Sequence, residues 1–325
     1  MVEAAKDGTT PPVGDWTRAR RALRRAFEGV VADRRSQLAI GRAIKVGSGA
    51  SRRTYAANVS LNPDPRGLSG TYVAVVAKPD ADDGVAERTT LEFRVLERLS
   101  ALPVPIRVPH PVAAPADGQG VALVRSYLEG SALPLQAGGP KGAEPWTVLG
   151  AVAAGVHNVD GRVFSGVLED PGSRRGHALA RLEVFDGLDD PVARDADGWA
   201  RGHLPPEEPA ALLHGDLFGR NIFLKPGQPP GVIDWECASL GDPAYELAVI
   251  TRGSRRPFGI PDGLARLLEA YAARGATRRV TREHVHVHAL CLAAEVYRYS
   301  VETEEASEAP EMALGRLRKL LEQVA

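Results

Sequence analysis

The sequence predicts an α+β fold of two lobes, a small N-terminal lobe built on an antiparallel sheet and a larger, mostly helical C-terminal lobe. Val-rich or alternating apolar segments bounded by turn residues dominate 39–129, whereas apolar residues recur at helical spacing beyond 145. A Gly/Pro-rich connector separates the two patterns. We therefore divide the chain into a polar tail and leading helix (1–38), an N-lobe with a hinge (39–129) and a C-lobe (130–325).

The predicted N-lobe elements follow one another closely. Helical spacing from Asp15 predicts the leading helix. The run AIKVGSGASRRTYAANVSL (39–61) predicts two strands around a Gly/Ser turn, and TYVAVVAK (71–78) predicts a third. GVAERTTLEFRVLERLSA (84–101) has one apolar face and predicts an amphipathic helix, and two further strands are predicted within 110–130.

The C-lobe pattern is helical. WTVLGAVAAGVHNV (146–159) is apolar nearly all round, as in a buried helix, and 160–210 is charged and interrupted by Pro and Gly. LLHGDLFGRNIFL (211–223) and GVIDWE predict short strands. Helices are predicted at PAYELAVITR, GLARLLEAYAARG, REHVHVHALCLAAEVYRYS and EMALGRLRKLLEQV.

Composition narrows the class of protein. The chain has 325 residues and a net charge of −1, so no overall field favours nucleic acid or an anionic membrane, and we expect neither partner. Cys237 and Cys291 lie far apart and predict no disulfide framework or zinc site, which is typical of a cytoplasmic protein. The N-terminus lacks an apolar signal region, and apolar runs of membrane-spanning length are absent. A monomer or a dimer is expected.

Polar residues interrupt the apolar run LLHGDLFGRNIFL at definite intervals. Asn221 follows Asp216 by five residues, and Asp234 ends the apolar segment GVID eighteen residues after Asp216. Phosphoryl transfer needs a carboxylate that orients the attacking hydroxyl, together with hard oxygen ligands for Mg²⁺. In isolation, HGD is also compatible with a tight loop whose Asp caps a backbone turn.

The two motifs together resemble the catalytic and metal-binding segments of the aminoglycoside phosphotransferase-like small-molecule kinases, a family with the protein-kinase-like fold. HGDLFGRN stands at the family's catalytic loop, and IDW, followed by GDP, stands at its metal-binding segment. The resemblance implies that Asp216 is the catalytic base, that Asn221 and Asp234 bind Mg²⁺, and that His214 bonds loop backbone rather than substrate.

The same resemblance implies a nucleotide site for ATP, with GTP possible, in the N-lobe. Gly47, Ser48 and Gly49 would cover the phosphates, although GSG is also a common hairpin turn. Lys78, at the end of the third strand, would hold the phosphates, unless it is only a residue at the sheet edge.

A glutamate of the following helix would orient Lys78. We assign this role to Glu92, with Glu87 and Glu97 as alternatives. Each of these glutamates is also compatible with a position on the solvated face of the helix, without a role in binding. The hinge ALVRSYLEG would bind the nucleobase through the carbonyl of Ser126 and the amide of Leu128.

Several residues depart from the family pattern or leave alternatives open. Arg125 replaces an apolar residue next to the base, which leaves the hinge register and the choice between ATP and GTP open. Glu246 replaces a loop-supporting Asp, and we expect its longer arm to shift a contact without abolishing chemistry. Asp242 is interpreted as a helix N-cap and loop brace, and Glu236 as structural.

The resemblance implies that the acceptor is a hydroxyl of a small molecule. We expect an antibiotic such as an aminoglycoside; macrolides, sugars, choline and homoserine are alternatives. The segment 160–210 contains 11 acidic residues and 6 Arg, a net charge of −5 that suits a polycation or an ordinary surface insert. Candidate acidic residues are Asp160, Asp186, Asp189, Asp190, Glu207 and Glu208. A protein kinase is disfavoured because GDP follows Asp234 closely, and a pseudokinase lacks positive support.

The C-terminal histidines invite a metal interpretation that we do not favour. His284 and His288 share a helix face, whereas His286 points elsewhere. We interpret all three as surface or partly buried residues.

Overall fold

The computed structural model describes residues 13–31, 36–49, 51–82, 84–113, 122–134, 144–251, 262–303 and 305–324. The chain forms two compact units. The first takes Met1–Pro103, Arg107–Glu129 and Gly231–Glu236, and the second takes Val104–Ile106, Gly130–Pro230 and Cys237–Ala325. The short segment Gly231–Glu236 thus belongs with the N-terminal part of the chain, whereas the boundaries predicted from the sequence divide the chain only by position.

An antiparallel sheet forms the first unit. Its described strands are β1 Gln37–Ile40, β2 Ile44–Ser48, β3 Arg52–Asn62, β4 Gly70–Ala77, β5 Pro111–Ala113 and β6 Ala122–Ser126. The strand order is β1-β3-β4-β6-β5, with β2 also paired to β3. β1 and β2 pair with opposite ends of β3, since Ile40 faces Val59 and Ile44 faces Ala56. The predicted hairpin around the Gly/Ser turn is confirmed, and β1 is an additional short strand.

A helix covers one face of this sheet. α1, Val13–Val30, buries Leu23 and Phe27 against side chains of β3, β4 and β6, including Tyr55, Val76 and Val124. Alternate residues of these strands reach the same core because side chains point to opposite faces in turn. α2, Val85–Leu99, is the predicted amphipathic helix and packs beside β5 and β6.

Helices dominate the second unit. They are α3 Pro145–His157, α4 Arg174–Leu182, α5 Pro191–Gly202, α6 Pro243–Thr251, α7 Gly263–Ala273, α8 Arg282–Glu302 and α9 Pro310–Glu322. Short strands β7 Ser131–Ala132 and β9 Ile222–Leu224 pair antiparallel, as do β8 Ala211–Leu213 and β11 Ser239–Gly241. β10, Gly231–Val232, lies in the segment assigned to the first unit.

α4 and α5 lie in the segment that the sequence presented only as charged and broken. Local signals mark both starts: the Ser173 hydroxyl accepts from the Gly176 amide, and the Asp190 carboxylate accepts from the Val192 amide with Pro191 as the first helical residue. The buried face of α5 consists of alanines, which give a weak apolar signal. None of the described helices is both long and apolar enough to cross a bilayer.

Candidate active site

A tight loop between β8 and β9 carries Asp216 and Asn221. Gly215 has a φ of 80°, a left-handed conformation that glycine adopts without strain. A Cβ at this position would lie 2.9 Å from the Cys237 carbonyl carbon and closer still to its oxygen. Residue 215 therefore must be glycine for the chain to turn directly before Asp216.

Hydrogen bonds inside the loop orient Asp216. Its Oδ2 accepts from Asn221 Nδ2 at 3.0 Å and from Arg220 Nη2 at 3.0 Å, and Asn221 Nδ2 also donates to the Asp216 backbone carbonyl at 2.8 Å. The structure thus brings Asp216 and Asn221 together. The buried His214 accepts the Asp216 amide through Nδ1 at 3.2 Å, so it bonds loop backbone as predicted.

Glu246 of α6 binds the backbone of this loop. Its carboxylate accepts from the amide of Gly215 at 2.7 Å and from that of His214 at 3.2 Å, and it bonds His157 Nε2 at 2.8 Å. Burial alone would raise the pKa of Glu246, but the His157 hydrogen bond, the neighbouring histidines and the Gly215 amide hold it below its ordinary value. The longer arm that departs from the family pattern therefore reaches loop backbone directly.

A second buried carboxylate, Asp242, braces the segment before α6. Its Oδ1 accepts from Arg174 Nε at 2.7 Å and its Oδ2 from His288 Nε2 at 2.9 Å. Burial raises the pKa of Asp242, but the His288 hydrogen bond and the Arg174 charge lower it more, to about 2. The predicted brace is present, and Asp242 directly precedes Pro243, the first residue of α6, with its carbonyl accepting the Tyr245 amide at 2.9 Å.

The interpretation of the histidines as surface or partly buried residues holds for His284 but is wrong for His286 and His288. His288 is fully buried beside Asp242, and His286 is buried as well. His284 forms a reciprocal capping box with Thr281 at the start of α8. His284 and His288 thus make contacts inside the protein that a period count cannot reveal.

The environment of His177 predicts a pH-dependent stability. Burial lowers the pKa of His177 to about 4, and the His288 ring acts in the same direction. Its Nδ1 accepts the Asp242 amide, a bond that requires an unprotonated Nδ1. An unfolded histidine titrates near pH ~6.5, so the unfolded chain binds the extra proton.

We expect the free energy of unfolding to decrease as the pH falls from ~6.5 to ~4, by at most ~1.4 kcal/mol per pH unit from this group. His177→Asn keeps an acceptor but does not titrate, so denaturant unfolding at several pH values should give a flatter profile. His203→Asn, at an exposed position, is the control. Parallel profiles for the wild type and His177→Asn would contradict the expectation.

The first unit contains every predicted nucleotide-contacting residue. Gly47 and Ser48 end β2, and the Gly49 amide donates to the Arg52 carbonyl at 2.9 Å across the hairpin. The Lys78 amide donates to the Ser51 carbonyl at 2.8 Å, which places Lys78, just after β4, beside this turn. Its pairing with Glu92 stays a prediction.

Arg52 joins the carboxylates of this unit. Its guanidinium contacts Glu92 Oε2 at 2.6 Å, Asp234 Oδ1 at 2.6 Å and Glu236 Oε1 at 3.0 Å. Burial would lower the pKa of the Arg52 guanidinium, but the charges of the three carboxylates outweigh burial and raise this pKa above its ordinary value. Glu92 and Asp234 are therefore held together, 142 positions apart in the chain, by a residue that the sequence did not single out.

Asp234 adopts an unusual backbone conformation. Its φ is 71°, in the left-handed region that non-glycine residues enter at a cost of roughly 1–2 kcal/mol. Such conformations persist where the surroundings fix them and often coincide with functional positions. Here the Arg52 ion pair and the buried Trp235 next in sequence hold the segment.

The hinge residues lie at the end of β6. Ser126 pairs with Tyr72, its amide donates to the His110 carbonyl at 2.8 Å, and its hydroxyl accepts from the His110 amide. Leu128 follows as a buried side chain. These contacts fix the backbone of the segment whose carbonyl and amide are the predicted base-binding groups.

The predicted metal ligands have suitable chemistry for Mg²⁺. The nitrogen of the Asn221 amide donates to Asp216, and the amide oxygen is the atom predicted to bind the cation. Asp234 supplies carboxylate oxygen, and its side chain is 32% exposed. Mg²⁺ prefers oxygen donors of this kind, usually with retained waters and phosphate oxygens.

Some acidic residues of 160–210 have structural partners. Asp160 binds Arg162, Asp190 caps α5, and Glu208 pairs with Arg174 at 2.6 Å. Three of the six candidate acidic residues thus take part in contacts within the protein. The excess negative charge of this segment is therefore a weaker argument for a polycationic acceptor than the sequence alone suggested.

Comparison with known proteins now defines the class. Residues 42–284 match the model of the phosphotransferase enzyme family, APH, and the chain belongs to this family. It is a small-molecule kinase with a protein-kinase-like fold. The predictions of family, fold class and enzyme class are confirmed.

Individual relatives are distant. A candidate aminoglycoside phosphotransferase from Ralstonia eutropha superposes with a TM-score of 0.61 at 20% identity, covering 93% of this chain and 95% of the other. A macrolide 2'-phosphotransferase from Brachybacterium faecium gives a TM-score of 0.57 at 21% identity over 90% and 97% of the two chains. APH(4)-Ia in ternary complex with AMP-PNP and hygromycin B, a thermostable mutant, gives 0.56 at 18% over 88% and 95%.

A homoserine kinase from Sinorhizobium fredii is 31% identical over 107 residues. This match spans 32% of the present chain and 31% of the kinase. The similarity is therefore local, and the chain spans less than a third of that relative.

Proposed function

We propose that this chain transfers the γ-phosphoryl group of ATP or GTP to a hydroxyl of a small molecule, and that the acceptor is an antibiotic, an aminoglycoside or a related compound, which the transfer inactivates. The observation that carries the proposal is the loop geometry, in which Asn221 and Arg220 fix the carboxylate of Asp216. Proteins with the same fold are named as phosphotransferases for antibiotics, and one of them is in a ternary complex with AMP-PNP and hygromycin B.

Each residue has a chemical task in this proposal. Asp216 accepts or orients the proton of the attacking hydroxyl, while Glu246 and Gly215 keep the loop in place. Asn221 and Asp234 hold Mg²⁺, which neutralises charge on the phosphates when it is bound. In the first unit, Gly47, Ser48, Gly49 and Lys78 bind the phosphates.

The remaining nucleotide contacts follow from the same family resemblance. Glu92 orients Lys78, and Ser126 and Leu128 bind the base through their backbone groups. Arg52 is the added member of this set, because it links Glu92 to Asp234 in the structure.

The test is a screen of acceptors with Mg·ATP and Mg·GTP. The panel includes hygromycin B, a macrolide, homoserine and choline, and phosphorylated product is detected by mass spectrometry. We expect product from an antibiotic, and we expect Asp216→Asn to lower its turnover by about 10²–10⁴-fold through loss of the base.

The matched control is Asp195→Asn on the exposed face of α5, which should keep full turnover. Unchanged turnover in Asp216→Asn would refute the assignment of the base. Product from none of the antibiotics would refute the proposed acceptor.

A metabolite kinase is the second candidate. It is favoured by the local identity with the homoserine kinase, at 31% over 107 residues. Product from homoserine, but not from the antibiotics, would establish this alternative with the same residues in the same roles.

A further inference from the structure

Arg125 is a buried cation with an unsatisfied hydrogen-bond donor among the described residues. It lies on β6, is 5% exposed, and its Nε is buried without an acceptor. A guanidinium carries five N–H donors, and leaving such donors unpaired in the interior is costly. The buried Nε–H of Arg125 therefore needs an acceptor, which a bound ligand can supply.

The neighbouring carboxylates do not fill this need. Burial lowers the pKa of Arg125, and the charges of Glu92 and Asp234 only partly offset it. Both carboxylates instead bind Arg52 directly at 2.6 Å. Arg125 thus experiences their field without taking their oxygens.

Position in the sheet directs the Arg125 side chain to the sheet face opposite α1, where the charges of Glu92 and Asp234 act on it. Val124 packs in the core under α1, and the next residue of a strand points to the opposite face. Val73 of β4 pairs with Arg125 in the sheet, so the two side chains point to the same face. Arg125 also directly precedes Ser126, the first residue of the hinge.

Resting on the proposed kinase function and its hinge, we propose that Arg125 reads the edge of the nucleobase and selects guanine over adenine. Guanine presents two acceptors, O6 and N7, that match the paired donors of an arginine. Adenine presents N7 together with the N6 amino group, a donor that would oppose the guanidinium. The phosphate donor of this enzyme is then GTP.

The expected discrimination is large enough to measure. A bidentate arginine–guanine contact discriminates between bases by about ten- to a hundred-fold in affinity. A site whose buried donors remain unpaired with the wrong ligand adds to this preference.

Titration calorimetry of the full-length protein with Mg²⁺ and GDP, IDP, 7-deaza-GDP or ADP tests the proposal. IDP keeps O6 and N7 but lacks the 2-amino group, so it should bind like GDP. ADP should bind about ten- to a hundred-fold more weakly, and 7-deaza-GDP, which lacks one of the two acceptors, should be intermediate.

Arg125→Met, which keeps an unbranched apolar side chain, should bind GDP and ADP equally. Arg94→Met, on the exposed side of α2, should retain the preference for GDP. Should Arg125→Met fail to fold, the series of four nucleotides on the wild type decides by itself.

Two negative results are distinguishable. If the wild type binds ADP as tightly as GDP and IDP, Arg125 does not select guanine, while the proposed kinase function stands. If it binds none of the nucleotides, the proposed function fails together with this inference. A guanine preference that survives in Arg125→Met would also overturn the role of Arg125.

Discussion

Replacing Arg174 with methionine is expected to lower the free energy of unfolding by about 3–5 kcal/mol, because it leaves a buried carboxylate with half of its partners. Arg174 is fully buried and binds Asp242 at 2.7 Å and Glu208 at 2.6 Å, and its Nη2 donates to the Arg279 carbonyl at 3.2 Å. Asp242 would then retain only His288.

Equilibrium denaturation in urea measures this loss through the midpoint and slope of the transition. Arg175→Met is the matched control, since Arg175 is the exposed neighbour on the same helix. The interpretation is wrong if both variants unfold at the wild-type midpoint.

Replacing Gly215 with alanine is expected to lower turnover by about 100-fold or more, because a displacement of ~1 Å at Asp216, the proposed catalytic base, costs that much. The added Cβ meets the Cys237 carbonyl, so the loop must move, and with it Asp216, the next residue. The amide that Gly215 donates to Glu246 would be displaced as well.

Gly227→Ala provides a control of unusual precision. Gly227 has a φ of 74°, close to that of Gly215, but a Cβ there meets nothing within 4 Å. Both variants therefore carry a similar backbone penalty, and only Gly215→Ala carries the collision. Steady-state rates with the identified acceptor should fall for Gly215→Ala alone; equal losses in both would show that the collision is unimportant.

Sequence patterns were sufficient where local chemistry determines structure. The helical period found most helices, and the polar interruption between apolar ends located the loop of Asp216 and Asn221. α4 and α5 were not found because caps such as Ser173 are single-residue signals, and alanine faces such as that of α5 hardly alter an apolar period.

Contacts between distant parts of the chain could not be predicted in this way. Arg52 meets Asp234 across 182 positions, and the tandem Arg52–Arg53 does not show which residue points inward. Glu246 was recognised as a departure from the family pattern, but only the structure shows that its carboxylate holds two loop amides. Arg125 departs from the family pattern by its residue type, but only the structure shows that it is buried with an unpaired Nε.

The assignment of Gly231–Glu236 to the first unit has a consequence for dissecting the protein. The Val232 amide donates to the Arg107 carbonyl at 2.8 Å, and Trp235 is fully buried. A truncation after residue 129 would therefore remove an interior part of the unit it is meant to isolate. Chimeras with relatives should accordingly exchange this short segment together with the N-terminal part. Asp234 lies late in the chain but belongs structurally to the first unit.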